Sequence, residues 1–317
     1  MFIQPYLRNE LHFAYCYRVY LRWRTHRARP LAPLAELDQA ILENIGAKYG
    51  IRVLECASNA TDLLALVSLK PEETISACTS KLKGQVSKWL REAGALAQPT
   101  EQLSNGYFAC TVGKSPREAV EQYLVAGREH HGYAERALPP IFVESYELSE
   151  DDEARISPNH SMVVAQFHLV LATRWRRGVF GSQEGRAVAD EWRRLQSSWR
   201  AALIKVSFLP DHTHLAIRTH PAVSPADLAL ELMNSAQQVI FERFAGAILQ
   251  ARVERLWQPS AYIGSYGDLT SPQIRKYIHN FAGETDTLAG SVNLHEASSL
   301  ASTQIVDASS SRRDAGY

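Results

Sequence analysis

An internal repeat constrains the fold of this chain more than any other feature of its sequence. One copy runs G-Y-F-A-C-T-V-G over 106–113 and reaches Tyr123 ten residues after Gly113. The other runs A-Y-I-G-S-Y-G over 261–267 and reaches Tyr277 ten residues after Gly267. In both, an aromatic-rich strand ends on a glycine and a tyrosine follows inside a helical pattern. Each copy opens with an alternating aromatic and aliphatic strand that runs into a basic cluster, over 15–29 and 164–177. Period-two alternation of β-branched and aromatic residues is the mark of a half-buried strand.

Between these landmarks the elements recur in one order. Helical periodicity covers about 34–49 and 182–200, strand pairs cover 51–56 with 62–69 and 203–209 with 213–219, and longer helices cover about 72–93 and 224–245. The order β-α-β-β-α-β predicts an α+β fold of two tandem ferredoxin-like domains, each an antiparallel sheet with helices on one face. The expected division is 1–133, an acidic linker over 134–160, a second domain over 161–283, and a small, serine-rich, disordered tail over 284–317.

The two copies differ in their polar residues. In the second, Pro210-Asp211 precedes His212-Thr213-His214, and strand alternation sends both imidazoles to one face, roughly 7 Å apart. Both can then reach one divalent cation, which acts as a Lewis acid on a phosphoryl oxygen. Eleven histidines in 317 residues give roughly 0.4 such pairs by chance, so incidental histidines stay open on pattern alone. An offset of 152 residues puts Ala60 and Asp62 at the corresponding places of the first copy. Tyr277 lies on an apolar stripe with Ile274, Ile278 and Phe281, and Tyr123 is flanked by Val120 and Leu124, so a core role is open for both tyrosines.

Charge separates along the chain although the net formal charge is zero. The first copy carries about three more basic than acidic side chains and the second about five more, while 134–160 carries about five more acidic ones. Arg22, Arg24, Arg174 and Arg176, at the ends of the opening strands, are candidate DNA-binding residues, with solvated strand ends as the ordinary alternative. No signal peptide or membrane span is visible. Four cysteines without a C-x-x-C read as reduced thiols, and a cytoplasmic location is expected.

The stretches F-H-L-V-L-A-T-R-W-R-R, L-P-D-H-T-H-L-A-I, L-W-Q-P-S-A-Y-I-G-S-Y-G and I-R-K-Y-I-H-N, in that order over 161–283, resemble the single-tyrosine HUH transposases of insertion sequences and their repeat-associated relatives. The first copy is similar in outline, as a degenerate domain. The resemblance implies a divalent metal, Mg2+ or Mn2+, on His212 and His214. It also implies a helical tyrosine, Tyr277 or Tyr123, that attacks single-stranded or hairpin DNA and forms a 5′-phosphotyrosine. Family members usually carry a glutamine one turn after the tyrosine, where this chain has Phe281 and Gly127.

Relatives are typically homodimers in which the tyrosine helix of one subunit serves the histidines of the other. A tandem chain resembles such a dimer with its halves joined, an intrachain pseudo-dimer, and a further homodimer stays open. On that symmetry Tyr123 would complete the His212/His214 site. The competing expectation is a domesticated transposon-derived protein that recognises hairpin DNA without cutting it.

Overall fold

The computed structural model describes residues 3–94, 102–126 and 140–283. The first copy supplies β1 (His12–Cys16), β2 (Arg18–Arg24), α1 (Gln39–Ala47), β3 (Arg52–Ser58), β4 (Asp62–Ser68), α2 (Ile75–Glu92), β5 (Phe108–Val112) and α3 (Arg117–Ala126). Next come β6 (Phe142–Ser145) and α4 (Glu150–Ile156). The second copy supplies β7 (Met162–Thr173), α5 (Ser182–Leu195), β8 (Ala201–Leu209), β9 (His212–Thr219), α6 (Pro225–Arg243), α7 (Ala245–Ala251), β10 (Trp257–Tyr266) and α8 (Ser271–Gly283). Residues 3–282 pack as one compact unit, and the expected tail over 284–317 lies outside the described residues.

The α+β expectation holds, and the two copies share one ten-stranded, mostly antiparallel sheet. Within the first copy the order is β3-β4-β2-β5, and within the second it is β8-β9-β7-β10. Two parallel pairings join them. The start of β7 runs beside β5 (Met162 opposite Phe108), and β1 runs beside β10 (His12 opposite Ser260). Each copy's opening strand thus borders the last strand of the other copy before it turns to its own.

Of the segment expected as an acidic linker over 134–160, the described residues from 140 onward pack with the second copy. β6 adds to the sheet edge beside β8, and α4 is capped by Ser149, whose side chain accepts from the Asp152 amide. Asp152 and Glu153 are neutralised by Arg155 and Arg218, so part of the acidic run is spent on structure.

One face of the sheet carries the main core, with Val19, Leu21, Leu63, Ala65 and Val67 from the first copy continuous with Phe167, Leu169, Leu215 and Ile217 from the second. The long helices cover this face. The indoles of Trp192 and Trp257 are fully buried and donate to the carbonyls of Leu232 and Met233 on α6, which satisfies their polar edges. Reciprocal bonds tie the helix entries together: Ser76 donates to Pro221 O and Ala226 donates to Pro71 O. The N-terminal segment crosses to the second copy as well, where the Tyr6 hydroxyl donates to Trp257 O at 2.8 Å.

The opposite face is covered by the two tyrosine helices, each on the other copy. α8 packs Ile274 and Ile278 against Tyr20, Leu64, Leu66 and Val112 of the first copy. α3 packs Val120 and Leu124 against Ile204, Ala216 and Tyr266 of the second. The exchange begins where β5 and β10 end. Thr111 Oγ1 donates to Tyr266 O at 2.7 Å and Ser265 Oγ donates to Val112 O at 2.7 Å. Pro116 then bridges to Gly267, and Gly113 to Thr270.

Only glycine fits that approach. A Cβ on Gly267 would stand 2.2 Å from Thr111 O, and one on Gly113 would stand 2.9 Å from Ser265 O. Gly267→Ala is therefore expected to cost about 2–3 kcal/mol, since backbone has to move. Gly246→Ala, whose Cβ meets nothing within 4 Å, should stay within about 1 kcal/mol of the parent, on the stabilising side. Urea denaturation midpoints of the two variants check both values.

Candidate active site

Strand β9 carries His212 and His214 on the face covered by α3. Their rings lie 5.0 Å apart, and both side chains are buried. The two-residue turn at Pro210-Asp211 fixes this register by pairing Leu209 with His212. Asp211 Oδ1 stands 2.6 Å from His212 Nδ1, and its Oδ2 accepts from Arg176 at 2.8 Å. Burial alone would raise the Asp211 carboxyl, but the His212 contact and the Arg176 charge outweigh it and hold it below its ordinary range. Asp211 thereby orients one imidazole, as an outer partner does for a ligand histidine.

A third histidine joins the pair. His168 lies on the neighbouring strand β7, and its Nε2 is 3.0 Å from His214 Nδ1, with the two rings stacked. One hydrogen lies between those nitrogens, so the two imidazoles fix each other's tautomers. Burial pushes His168 down to about 4, which keeps it neutral at ordinary pH. Sequence reasoning passed over this residue. The available signal was F-H-L-V, where alternation sets His168 on the face opposite Phe167 and Leu169.

Tyr123, carried on α3 from the first copy, completes the cluster. Its ring lies 5.3 Å from that of His214 and 6.0 Å from that of His168, both edge-on. It is half-buried, and burial raises its hydroxyl above the usual value. Tyr262 of β10 borders His168 at 6.0 Å. Tyr277 is elsewhere: it sits on the first copy, 6.4 Å from the ring of Tyr20.

The sheet register corrects the sequence alignment of the two copies. Ala172 faces His212 and Val170 faces His214, as Arg24 faces Asp62 and Arg22 faces Leu64. The turns agree, since Thr25 donates to Thr61 O as Thr173 donates to Asp211 O. The counterparts of the histidines are therefore Asp62 and Leu64, not Ala60 and Asp62. A slip of two residues preserves strand alternation, so apolar pattern alone does not detect it.

The corresponding place on the first copy has become packing. Leu64 replaces His214, Tyr20 replaces His168, and Phe108, at 6.0 Å from Tyr20, replaces Tyr262. Asp62, in the place of His212, is buried and held by Arg22 at 2.8 Å and Arg24 at 3.4 Å. These two arginines thus spend part of their charge on Asp62. Arg176 is engaged by Asp211, while Arg174 stacks 4.3 Å over the Trp175 ring. Arg218 and Arg275 are paired with Glu153 and Glu55.

Two imidazoles on one strand face, with Asp211 behind one and His168 behind the other, suit a divalent ion in donor chemistry. Among the described residues no group of three or more His, Cys, Asp or Glu side chains has metal-holding geometry. The remaining positions would fall to water and substrate oxygens. Gly127, one turn beyond Tyr123, lies outside the described residues. The four cysteines are free thiols, and burial pushes Cys56 and Cys110 up to about 12, which removes thiolate chemistry at neutral pH.

The depressed His168 value carries a stability consequence. Above pH 6.5 the imidazole is neutral in folded and unfolded chains alike. As pH falls from about 6.5 to about 4, the unfolded chain binds a proton that the folded chain does not, so stability is lost across that window. The loss amounts to at most about 3 kcal/mol, less to the extent that water reaches the ring's partly exposed edge. Urea denaturation at pH 7, 5 and 4 should show this slope in the parent and a shallower one in His168→Gln.

Comparison with known proteins agrees with the repeat. The family described as IS200-like transposases matches residues 14–126 and again 161–281. The transposase for insertion sequence element IS200 of Salmonella typhimurium is 24% identical over 119 residues, which is 38% of this chain and 78% of that protein. The ISDra2 transposase TnpA of Deinococcus radiodurans is 24% identical over 115 residues, 36% of this chain and 82% of that one. A crystal structure of a putative transposase from Deinococcus radiodurans aligns at 22% identity and a TM-score of 0.33, over 39% of this chain and 96% of that one. No helix among the described residues is long and apolar enough to cross a membrane. With both halves matched in turn, the chain belongs to the IS200-like transposase family.

Proposed function

We propose that this protein is a nuclease and strand transferase for single-stranded or hairpin DNA, with one reaction centre formed by Tyr123 of the first copy and His212 and His214 of the second. The observation that carries this reading is the ring contact between Tyr123 and His214, at 5.3 Å, made across the two copies. Tyr277 packs instead beside Tyr20, where Leu64 and a salt-bridged Asp62 stand in the histidines' places. The two copies act as an intrachain pseudo-dimer, a reading supported by the reciprocal placing of their tyrosine helices.

In the reaction the Tyr123 oxygen attacks a DNA phosphorus, a 5′-phosphotyrosine bond forms, and the 3′-oxygen leaves and takes up a proton. The phenol carries its own proton at neutral pH, because burial raises its value further above 10. That proton passes to water as the O–P bond forms, since His214 Nδ1 already faces His168 and its other nitrogen would face the ion. Attack of a 3′-hydroxyl on the phosphotyrosine reverses the bond change and rejoins DNA without an external energy source. His212 and His214 would hold the divalent ion, which would neutralise charge on the phosphoryl oxygens. Imidazole is a softer donor than Mg2+ prefers, so Mn2+ is the better match of the two.

The test uses end-labelled DNA strands bearing a hairpin with randomised single-stranded arms, incubated with Mn2+ or Mg2+ and resolved by denaturing electrophoresis. The parent and Tyr277→Phe should form a covalent protein–DNA adduct, and Tyr123→Phe and His214→Ala should lower it at least about a hundredfold. Loss with Tyr277→Phe alone overturns the cross-copy assignment. A second reading, hairpin binding without cleavage, is favoured by Gly127 at the place where relatives carry glutamine. A tight complex without adduct or nick under either metal would decide for it.

A further inference from the structure

Beside the histidine cluster stands an exposed aromatic that the reaction above does not use. Trp175 follows β7 in a short turn, Arg174–Arg176, and is 65% exposed. The Arg174 guanidinium lies 4.3 Å from the indole centroid, which fixes the ring by a cation–π contact. The turn is tied to the hairpin that carries His212. Thr173 donates to Asp211 O at 2.9 Å, Val179 donates to Pro210 O at 2.8 Å, and Arg176 reaches Asp211. Asp211 in turn contacts His212.

The first copy supplies an internal comparison. Its turn has the same left-handed kink, with Arg27 at φ 52° against Trp175 at φ 57°. The backbone shape therefore belongs to the repeat, and the indole belongs only to the copy that kept its histidines. Ala28 stands in the place of Arg176, Thr61 in that of Asp211 and Asp62 in that of His212. The aromatic, its stacked cation and the Arg176–Asp211–His212 chain occur together or not at all.

We infer that Trp175 is a stacking platform for an unpaired nucleobase next to the phosphate that reaches the histidines. A large apolar ring held open to water beside a cluster of arginines suits a flat, anionic-backboned ligand. A single strand offers a free base face at every position, whereas a duplex offers one only at its ends. The geometry ties the platform to the hairpin that carries His212, so a base seated there fixes the register of the strand across the site. This inference rests on the single-strand DNA reading of the preceding section.

The experiment uses the full chain and an oligo(dT) strand of roughly 16 nucleotides with one 2-aminopurine, placed in turn at each position. The parent should quench the fluorophore, Trp175→Ala should abolish quenching and weaken binding about 5- to 150-fold, and Trp175→Phe should restore most of both. Arg27→Ala, at the counterpart position, should keep the quenching. Thermal unfolding of Trp175→Ala checks that the surface change leaves the fold intact. Unchanged affinity and quenching in Trp175→Ala, while adducts still form with the hairpin strands, overturns the platform and leaves the chemistry standing. A parent that neither binds the strand nor forms adducts overturns both.

Discussion

The close crossing of two strand ends is the interaction on which the rest of this structure depends. β5 and β10 finish against one another, and each hydroxyl, of Thr111 and of Ser265, bonds a carbonyl of the other strand. The same oxygens accept from the Gln166 and Arg18 amides, so one side chain per strand satisfies backbone groups that would otherwise be buried without partners. Gly113 and Gly267 let the chains pass at a distance that excludes a Cβ. From that point each helix can leave only across the other copy. The meeting of Tyr123 with His214 is therefore a property of sheet topology and not of any contact local to the site.

The same topology explains why one site could become core without loss of the fold. At both places a helix must cover a strip of sheet, and burial of apolar surface is the favourable term whichever residues line it. In the second copy the strip is polar and ordered by Asp211 and His168. In the first it is Tyr20, Leu64 and Phe108 under Ile274 and Ile278, a well-packed apolar set. Asp62, at the edge of that set, is buried with two arginine partners, the usual condition for an internal carboxylate.

Much of the fold was legible in the sequence because its signals are local. Alternation marked the opening strands, and the glycine-to-tyrosine spacing marked the repeat itself. The family resemblance brought the histidine pair and both tyrosines together as candidates. What the sequence hid was relational. Alternation has a period of two, so it could not tell Asp62 from Ala60 as the partner of His212. His168 lies 46 residues from His214 and meets it only through strand pairing. The acidic segment read as a connector because charge is visible in sequence while the pairing of Glu153 with Arg218 is not.

Joining both halves in one chain has a consequence for how the protein can change. In a symmetric homodimer every substitution appears twice, so a residue that improves one position as packing damages the same position as a site. Here Leu64 and His214, or Tyr20 and His168, are encoded separately and answer to different demands. The halves also meet at an effective concentration set by the covalent connection, so assembly of the Tyr123–His214 pair does not depend on how many molecules the cell holds. Duplication within one chain thus turned a symmetric design into two surfaces that selection can treat one at a time.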